Sequence, residues 1–209
     1  MEEKEIFWSK TAKDFEEKNN QIIGKESMQI ILDALARETD LGKTLELACG
    51  NGTYSKILVT NAENLTCTDW SEEMVAETRQ RLKDFPKIQI EQANCFQLPY
   101  ADNSFDTIFM GNLLHIIPNP EKALAEAKRV LKPNGQVIVL DFTSKGMKLF
   151  DKIRMVSLFL KFYGKPPQGG QNIDDKKLKA MFENTGLKVE YSEIIGARSK
   201  AVFGKAFKR

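Results

Sequence analysis

Two acids and two glycines define the first chemistry this chain could do. Glu46 stands four residues before Gly50, Gly52 follows, and Asp69 ends the next strand-like run, Leu65-Thr-Cys-Thr-Asp. Glycine tolerates a tight strand-to-helix turn and lets a ligand approach the backbone, because it has no Cβ. Acids at strand ends can take sugar hydroxyls or face an ammonium group. The elements that must hold these residues are readable around them. Leu45 and Leu47 predict an apolar strand into the turn, and Tyr54, Ile57 and Leu58 predict a helix out of it. The start of such a helix aims free N–H groups at whatever lies over the turn. Strand, glycine turn, helix, strand and acid together describe half of a nucleotide-binding α/β unit.

The spacing bears on the ligand. A dinucleotide fingerprint wants glycine or alanine where Ser55 stands, and Ala48 holds a place where a further glycine would ease approach to a pyrophosphate. A ligand without phosphate needs less backbone, and it can use Glu46 near its ammonium. No Gly-x-x-x-x-Gly-Lys-Ser/Thr run occurs, which argues against a P-loop nucleotidase.

The 209 residues fit one domain with a substantial core. An apolar share of 42% and a charged share of 29% are those of an ordinary globule. The 31 basic and 29 acidic residues nearly cancel, so no strong footprint for nucleic acid is visible. Cys49, Cys67 and Cys95 are odd in number and not in metal-ligand spacing, so no metal is expected. The opening Met-Glu-Glu-Lys-Glu has no apolar core of a signal peptide, and a reduced, cytoplasmic protein is the expectation. The run from Ile153 to Tyr163 carries Arg154 and Lys161 and is too short to span a bilayer.

Along the chain, Phe7, Thr11 and Phe15, with Trp8 and Ala12 beside them, predict a helical arm over residues 1–22, broken at Asn19, Asn20 and Gly24. Met28, Ile31, Leu32 and Leu35 give a second helix its face. After Asp69, Ser71 is a good N-cap, and Met74, Val75, Thr78 and Leu82 continue a helix that Phe85-Pro86 stops. A strand at Ile88–Glu91, a loop, and a strand at Phe105–Met110 follow, then a helix opened by Asn119-Pro120-Glu121. Lys132-Pro-Asn-Gly reads as a turn before the most apolar strand, Gln136–Phe142. A helix of bulky apolar and basic residues (147–163) and a Pro-Gly loop interrupt the rhythm. A helix at Asp174–Asn184 and strands at Leu187–Ile195 and Ala201–Lys208 close the chain.

This alternation predicts an α/β fold: a doubly wound, Rossmann-like seven-stranded sheet, mostly parallel, with the last strand antiparallel and helices on both faces. The expected organisation is a single domain over 1–209. It comprises an N-terminal arm or lid (1–24), a cofactor-binding core (25–142), a substrate-side insertion (143–172) and a C-terminal helix with its strand pair (173–209).

Four ordered motifs then point to a family. Glu46-Leu-Ala-Cys-Gly-Asn-Gly-Thr, Asp69-Trp-Ser-Glu-Glu-Met, Leu98-Pro-Tyr-Ala-Asp-Asn-Ser-Phe-Asp106 and Arg129-Val-Leu-Lys-Pro-Asn-Gly135 resemble the successive motifs of class I S-adenosylmethionine-dependent methyltransferases. The flavour is that of the small-molecule type 11 group, which includes the ubiquinone and menaquinone C-methyltransferases. The resemblance implies S-adenosyl-L-methionine as cofactor and S-adenosyl-L-homocysteine as product. It implies that Glu46 and the Gly50–Gly52 turn hold the methionine part, that Asp69 accepts the ribose hydroxyls and that Trp70 packs on the adenine. Asn94 by its side chain and Cys95 by its N–H would meet the adenine edge, and Asn112 and Leu113 would lie under the sulfonium. Ala48, Asn51, Met74 and Phe96 complete the implied cofactor-binding set. Ala48 departs from the usual first glycine of the turn, and Asn94 from a common aspartate.

His115, the single histidine, and Tyr100 are the candidate bases for an acceptor that must lose a proton; a structural role for His115 stays open beside that. Position 112 reads Asn-Leu-Leu-His, without the Asp/Asn-Pro-Pro-aromatic run that amino methyltransferases resemble each other in, and the cysteines cluster around the cofactor rather than the acceptor. A small, fairly apolar methyl acceptor remains, enclosed by Phe7, Trp8, His115 and the 147–163 helix, which could also touch a membrane surface weakly. The chain is expected as monomer or homodimer. Two rivals stay open: an NAD-dependent oxidoreductase, and a cofactor-binding or interaction protein on this fold without catalysis.

Overall fold

The computed structural model describes residues 14–165 and 170–209. Residues 1–13 of the arm expected over 1–22, and residues 166–169 of the loop, lie outside them.

Seven strands form one sheet: β1 (Gly42–Leu47), β2 (Ala62–Asp69), β3 (Ile88–Gln92), β4 (Phe105–Gly111), β5 (Leu131–Thr143), β6 (Lys188–Ile195) and β7 (Lys200–Phe207). Their spatial order is β3-β2-β1-β4-β5-β7-β6. The first five pair in parallel, while β7 runs antiparallel to both β5 and β6. This is the expected seven-stranded, doubly wound sheet with its last strand reversed. The winding reverses between β1 and β4, which are neighbours in space but not in sequence.

The seven helices among the described residues are α1 (Phe15–Ile23), α2 (Lys25–Ala36), α3 (Ser55–Asn61), α4 (Glu72–Arg81), α5 (Pro120–Val130), α6 (Leu149–Tyr163) and α7 (Asp175–Asn184). The middle of β5 shows why both sheet faces must be covered. Val137 and Val139 join the core beneath α5 and α7, with Ala123, Leu124, Ala127, Leu178 and Phe182. The intervening Ile138 and Leu140 join the opposite core, with Ile31 and Leu35 of α2 and Leu58 of α3. All four β5 residues are fully buried, the period-two pattern of a strand sandwiched between helix layers.

Local signals set several boundaries. Ser71 caps α4 by accepting the Met74 N–H at 3.2 Å, with Glu72 and Glu73 in the first turn and Arg79 and Arg81 in the last, as the helix dipole favours. Asp174 caps α7 through the Lys177 N–H. Three expectations need correction. Asn19 and Asn20 lie inside α1, which ends at Gly24 (φ 87°), the residue whose backbone turns the chain into α2. Asn119 makes no side-chain cap bond, so Pro120 at the first helical position is what opens α5. Lys132–Gly135 is no free turn. It belongs to the irregular start of β5, where the register passes from Phe105–Leu131 to Thr107–Gln136 and Asn134 takes φ 63°. The Lys132 ammonium bonds Asp106 there at 2.8 Å and fastens the bulge to β4.

Candidate functional site

The carboxyl ends of β1, β2, β4 and β5 come together where the winding reverses, the place at which open α/β sheets bind ligands. The turn after β1 is built by backbone bonds. The Cys49 N–H donates to the Thr68 carbonyl at 2.9 Å, and the Gly52 N–H to the Cys49 carbonyl at 2.9 Å. The Gly50 N–H donates to Asp69 Oδ2 at 2.9 Å, and the Thr78 hydroxyl of α4 donates to the Gly50 carbonyl at 2.6 Å.

The two glycines serve different ends. At Gly50 (φ 55°) an added Cβ would meet nothing within 4 Å, so this residue faces open space. At Gly52 (φ 78°) a Cβ would come to 3.2 Å from the Leu82 and Thr78 side chains, so its smallness serves packing on α4. Ala48 also sits in the left-handed region, at φ 57°. Asn51 is buried, and its Oδ1 accepts the Thr53 hydroxyl at 2.7 Å.

Glu46 is fully buried. Its Oε2 accepts the Ser55 hydroxyl at 2.5 Å and the Cys67 thiol at 3.4 Å. Its Oε1 has no hydrogen-bond partner among the described residues. Burial pushes the Glu46 carboxyl up to about 7, against the lowering bonds from Ser55 and Cys67. An unpartnered buried carboxylate oxygen beneath an open glycine turn is a place for a cationic or N–H donor.

Asp69 accepts the Gly50 N–H through one oxygen and the Ser71 N–H through the other, each at 2.9 Å. Trp70 beside it is exposed, and Met74 is buried below. Across the cleft, the Asn94 Oδ1 accepts the Phe96 N–H at 2.9 Å, which folds the loop through Cys95 and leaves the Asn94 amide NH2 for another acceptor. Burial raises the Cys95 thiol to about 11, so it is no thiolate.

The end of β4 is clamped by Asn112. Its Nδ2 donates to the Tyr54 hydroxyl at 3.0 Å, and its Oδ1 accepts the Phe142 N–H at 3.2 Å. One side chain thus ties β4, the residue before α3 and β5 together, with Leu113 buried next to it. Asn112 adopts φ 54°, a conformation asparagine tolerates better than most residues.

His115 follows three residues later. Its imidazole Nδ1 meets Asp141 Oδ1, and its backbone N–H donates to Asp141 Oδ2 at 3.1 Å. Asp141 is fully buried near the end of β5. Above it, the Gln171 N–H donates to the His115 carbonyl at 2.9 Å. An acid on Nδ1 fixes the ring orientation and leaves Nε2 as the working nitrogen. Sequence reasoning missed Asp141. The available signal was an acid inside an otherwise apolar strand in a chain with one histidine.

Tyr100 is not brought to this centre. Its ring stands edge-on to Phe105 at 5.0 Å, and its hydroxyl donates to Glu91 on β3. That strand is three places from β4 in the sheet, about 14 Å away. Burial and the Glu91 carboxylate hold the hydroxyl well above the ordinary tyrosine range, so it is a poor base. Phe7 and Trp8, expected around the acceptor, lie outside the described residues. A separate open cleft lined by Lys128, Arg129, Thr185 and Lys208 lies near the ends of α5, α7 and β7. Its cations are already bonded to carbonyls and carboxylates, and it contains none of the site residues.

A doubly wound sheet with a glycine turn, paired strand-end acids and a reversed seventh strand defines a methyltransferase fold. Residues 45–139 match the model of the methyltransferase domain family. A demethylmenaquinone methyltransferase of Staphylococcus aureus (strain JH9) is 30% identical over 164 residues, covering 69% of this chain and 67% of that protein. One of Staphylococcus epidermidis (strain ATCC 12228) is 34% identical over 123 residues, 57% of this chain and 50% of its own length. The chain thus spans about half the length of several curated relatives that it matches. A solved structure of a SAM-dependent methyltransferase from Aquifex aeolicus superposes with a TM-score of 0.68 over 94% of this chain and 97% of that one, at 19% identity. The chain belongs to the class I S-adenosylmethionine-dependent methyltransferases, of the ubiquinone/menaquinone type.

Proposed function

We propose that this chain transfers the methyl of S-adenosylmethionine to a small, fairly apolar acceptor, with His115 as the base. The observation that carries the reading is the His115–Asp141 pair at the ends of β4 and β5, next in the sheet to β1 with its Glu46 and the Gly50 turn that follows. The curated relatives named as demethylmenaquinone methyltransferases support an apolar acceptor.

The residues present fit the cofactor. The free Glu46 oxygen suits an ammonium group, and the open side of Gly50 admits a ligand against the backbone, with the Asp69 carboxylate bonded to the Gly50 N–H beside it. Trp70 offers an exposed ring beside Asp69 for stacking on a purine. Bound there, S-adenosylmethionine supplies a methyl already activated by its sulfonium. The protein then has mainly to align and desolvate the acceptor, and positioning alone is worth up to roughly 7–11 kcal/mol. His115 Nε2 takes the proton that the acceptor loses, and Asp141 stabilises the imidazolium that forms. Asn112 keeps the β4 end in place beneath the reacting groups.

The test is to incubate the protein and cofactor with a metabolite extract and identify the methylated product by mass spectrometry. Calorimetry with S-adenosylhomocysteine and with NAD runs beside it. Binding of NAD but not of S-adenosylhomocysteine overturns the cofactor assignment, and turnover on tRNA or protein with no small acceptor overturns the acceptor class.

A further inference from the structure

Helix α6 has apolar residues on two sides, and only one of them is packed. Met155, Leu158, Phe159, Phe162 and Tyr163 lie against Ile22 and Ile23 of α1 and Met28 of α2. Arg154 locks that contact by donating to the Gln21 and Ile22 carbonyls at 2.8 and 3.3 Å. The opposite side carries Leu149, Phe150, Ile153, Val156 and Leu160, each between 45% and 76% exposed. At about 100° per residue these five fall within roughly a third of the helix circumference. They form one stripe rather than scattered surface residues, and a contiguous apolar patch of this kind marks an interaction site.

The rim of the stripe decides what covers it. Lys152 and Lys161 stand on its two flanks, and Lys148 and Lys165 at its two ends; Lys148, Lys161 and Lys165 are exposed. Asp151, the acid within α6, falls on the packed half of the helix. The nearby Asp174 and Asp175 are taken by Lys145. The apolar stripe is thus framed by cations. A second copy meeting this face symmetrically would set lysines against lysines, which charge complementarity disfavours. A surface of anionic headgroups over acyl chains matches both parts at once. Apolar side chains enter the acyl boundary, and lysines snorkel to the headgroups. A 15-residue helix is about 22 Å long, too short to cross a bilayer but suited to lying along it.

We infer that the Leu149–Leu160 face of α6 is a docking surface for an anionic lipid bilayer. The inference stands on α6 alone and does not depend on the acceptor. The test is co-sedimentation of the full chain with sucrose-loaded vesicles, either equimolar phosphatidylglycerol and phosphatidylcholine or phosphatidylcholine alone. The expected result is binding to the anionic vesicles at least ten times stronger than to the neutral ones, weakened by 0.5 M salt. The double substitution Phe150→Glu with Ile153→Glu, and separately Lys148→Gln with Lys161→Gln, should each reduce that binding at least five-fold with an unchanged thermal midpoint. If the wild type stays in solution with anionic vesicles, or if both double variants bind as it does, the inference is wrong. It is equally overturned if ultracentrifugation shows a dimer that the glutamate pair splits, because the face would then belong to a second copy.

Discussion

Asp141 holds His115 by two bonds at once, one from the backbone N–H at 3.1 Å and one from the imidazole Nδ1. The acid is fully buried on β5, and the histidine follows the end of β4, its neighbour in the sheet. The geometry fixes both the position of residue 115 and the orientation of its ring. Asp141→Asn should separate the two effects. The amide oxygen can still accept the backbone N–H, but its NH2 then faces Nδ1 and forces the proton onto Nε2. A nitrogen that carries a proton cannot serve as base. The expected outcome is a fall in kcat on the order of 100- to 10,000-fold with KM little changed, matched by His115→Ala and not deepened in the double variant. Full turnover of His115→Ala across pH 6 to 9 would remove the base role.

Asp69 has a double duty, since its oxygens already take the Gly50 and Ser71 N–H groups. Asp69→Asn keeps one acceptor and loses charge assistance; Asp69→Ala also frees both amides. S-adenosylhomocysteine binding should weaken on the order of 10-fold for the first and 100-fold for the second, by calorimetry on variants shown to be folded. Equal, undiminished affinities would place the sugar elsewhere.

Glu46 couples the cofactor to protons. Its carboxyl is raised by burial from an ordinary 4.5 to about 7. A raised acid binds its proton more tightly in the folded state, so it imposes no penalty below pH 4.5. The penalty grows between pH 4.5 and 7 and is complete above, reaching at most about 3 kcal/mol. Stability should therefore fall from pH 5 to pH 8, and Glu46→Gln should flatten that slope. An ammonium placed on the free Oε1 favours the charged form, so binding should release a proton near pH 6.5. Calorimetry in buffers of different ionisation enthalpy reads this directly, and absence of proton release in the wild type would leave the ammonium contact without support.

The parts of this site that were readable from sequence are those made within a few residues. The Gly50–Gly52 turn, Asp69 at a strand end and the Ser71 cap all follow from local spacing, because the backbone conformation that needs them is local. What escaped depends on which side chains of other elements the fold brings together. Asp141 read as part of an apolar run because its partner lies 26 residues earlier. Tyr100 read as a base because the Glu91 that occupies its hydroxyl stands on β3, before the loop that carries Tyr100. The 147–163 helix read first as a core or lid element and only second as a surface for a membrane or partner, since periodicity shows that a helix has faces but not which face is covered. The doubly wound parallel sheet was legible through the alternation of strands and helices, and the reversed β7 through the short turn that joins it to β6.

The floor of the site gives two substitutions of opposite sign. At Gly111 a Cβ would stand 2.6 Å from the Tyr54 ring and 3.0 Å from Phe109. The Tyr54 ring is itself edge-on to Phe109 at 5.6 Å, and its hydroxyl is held by Asn112, so it has no direction in which to yield. Gly111→Ala should cost about 1–3 kcal/mol by overpacking, and for a chain of this size each kcal/mol lowers Tm by roughly 2–4 °C. It should also loosen Asn112 and lower turnover. Ala48, by contrast, sits at φ 57°, where a Cβ costs about 1–2 kcal/mol that glycine avoids. Glycine gives back roughly 0.4–1 kcal/mol through the entropy of the unfolded chain. Ala48→Gly should thus raise Tm by a degree or more while keeping S-adenosylhomocysteine affinity. Differential scanning calorimetry of both variants checks the pair. The Ala48 methyl also packs against the core that contains β4 and β5. A lower Tm for Ala48→Gly would mean that this packing outweighs the backbone relief, and the strain argument would fall with it.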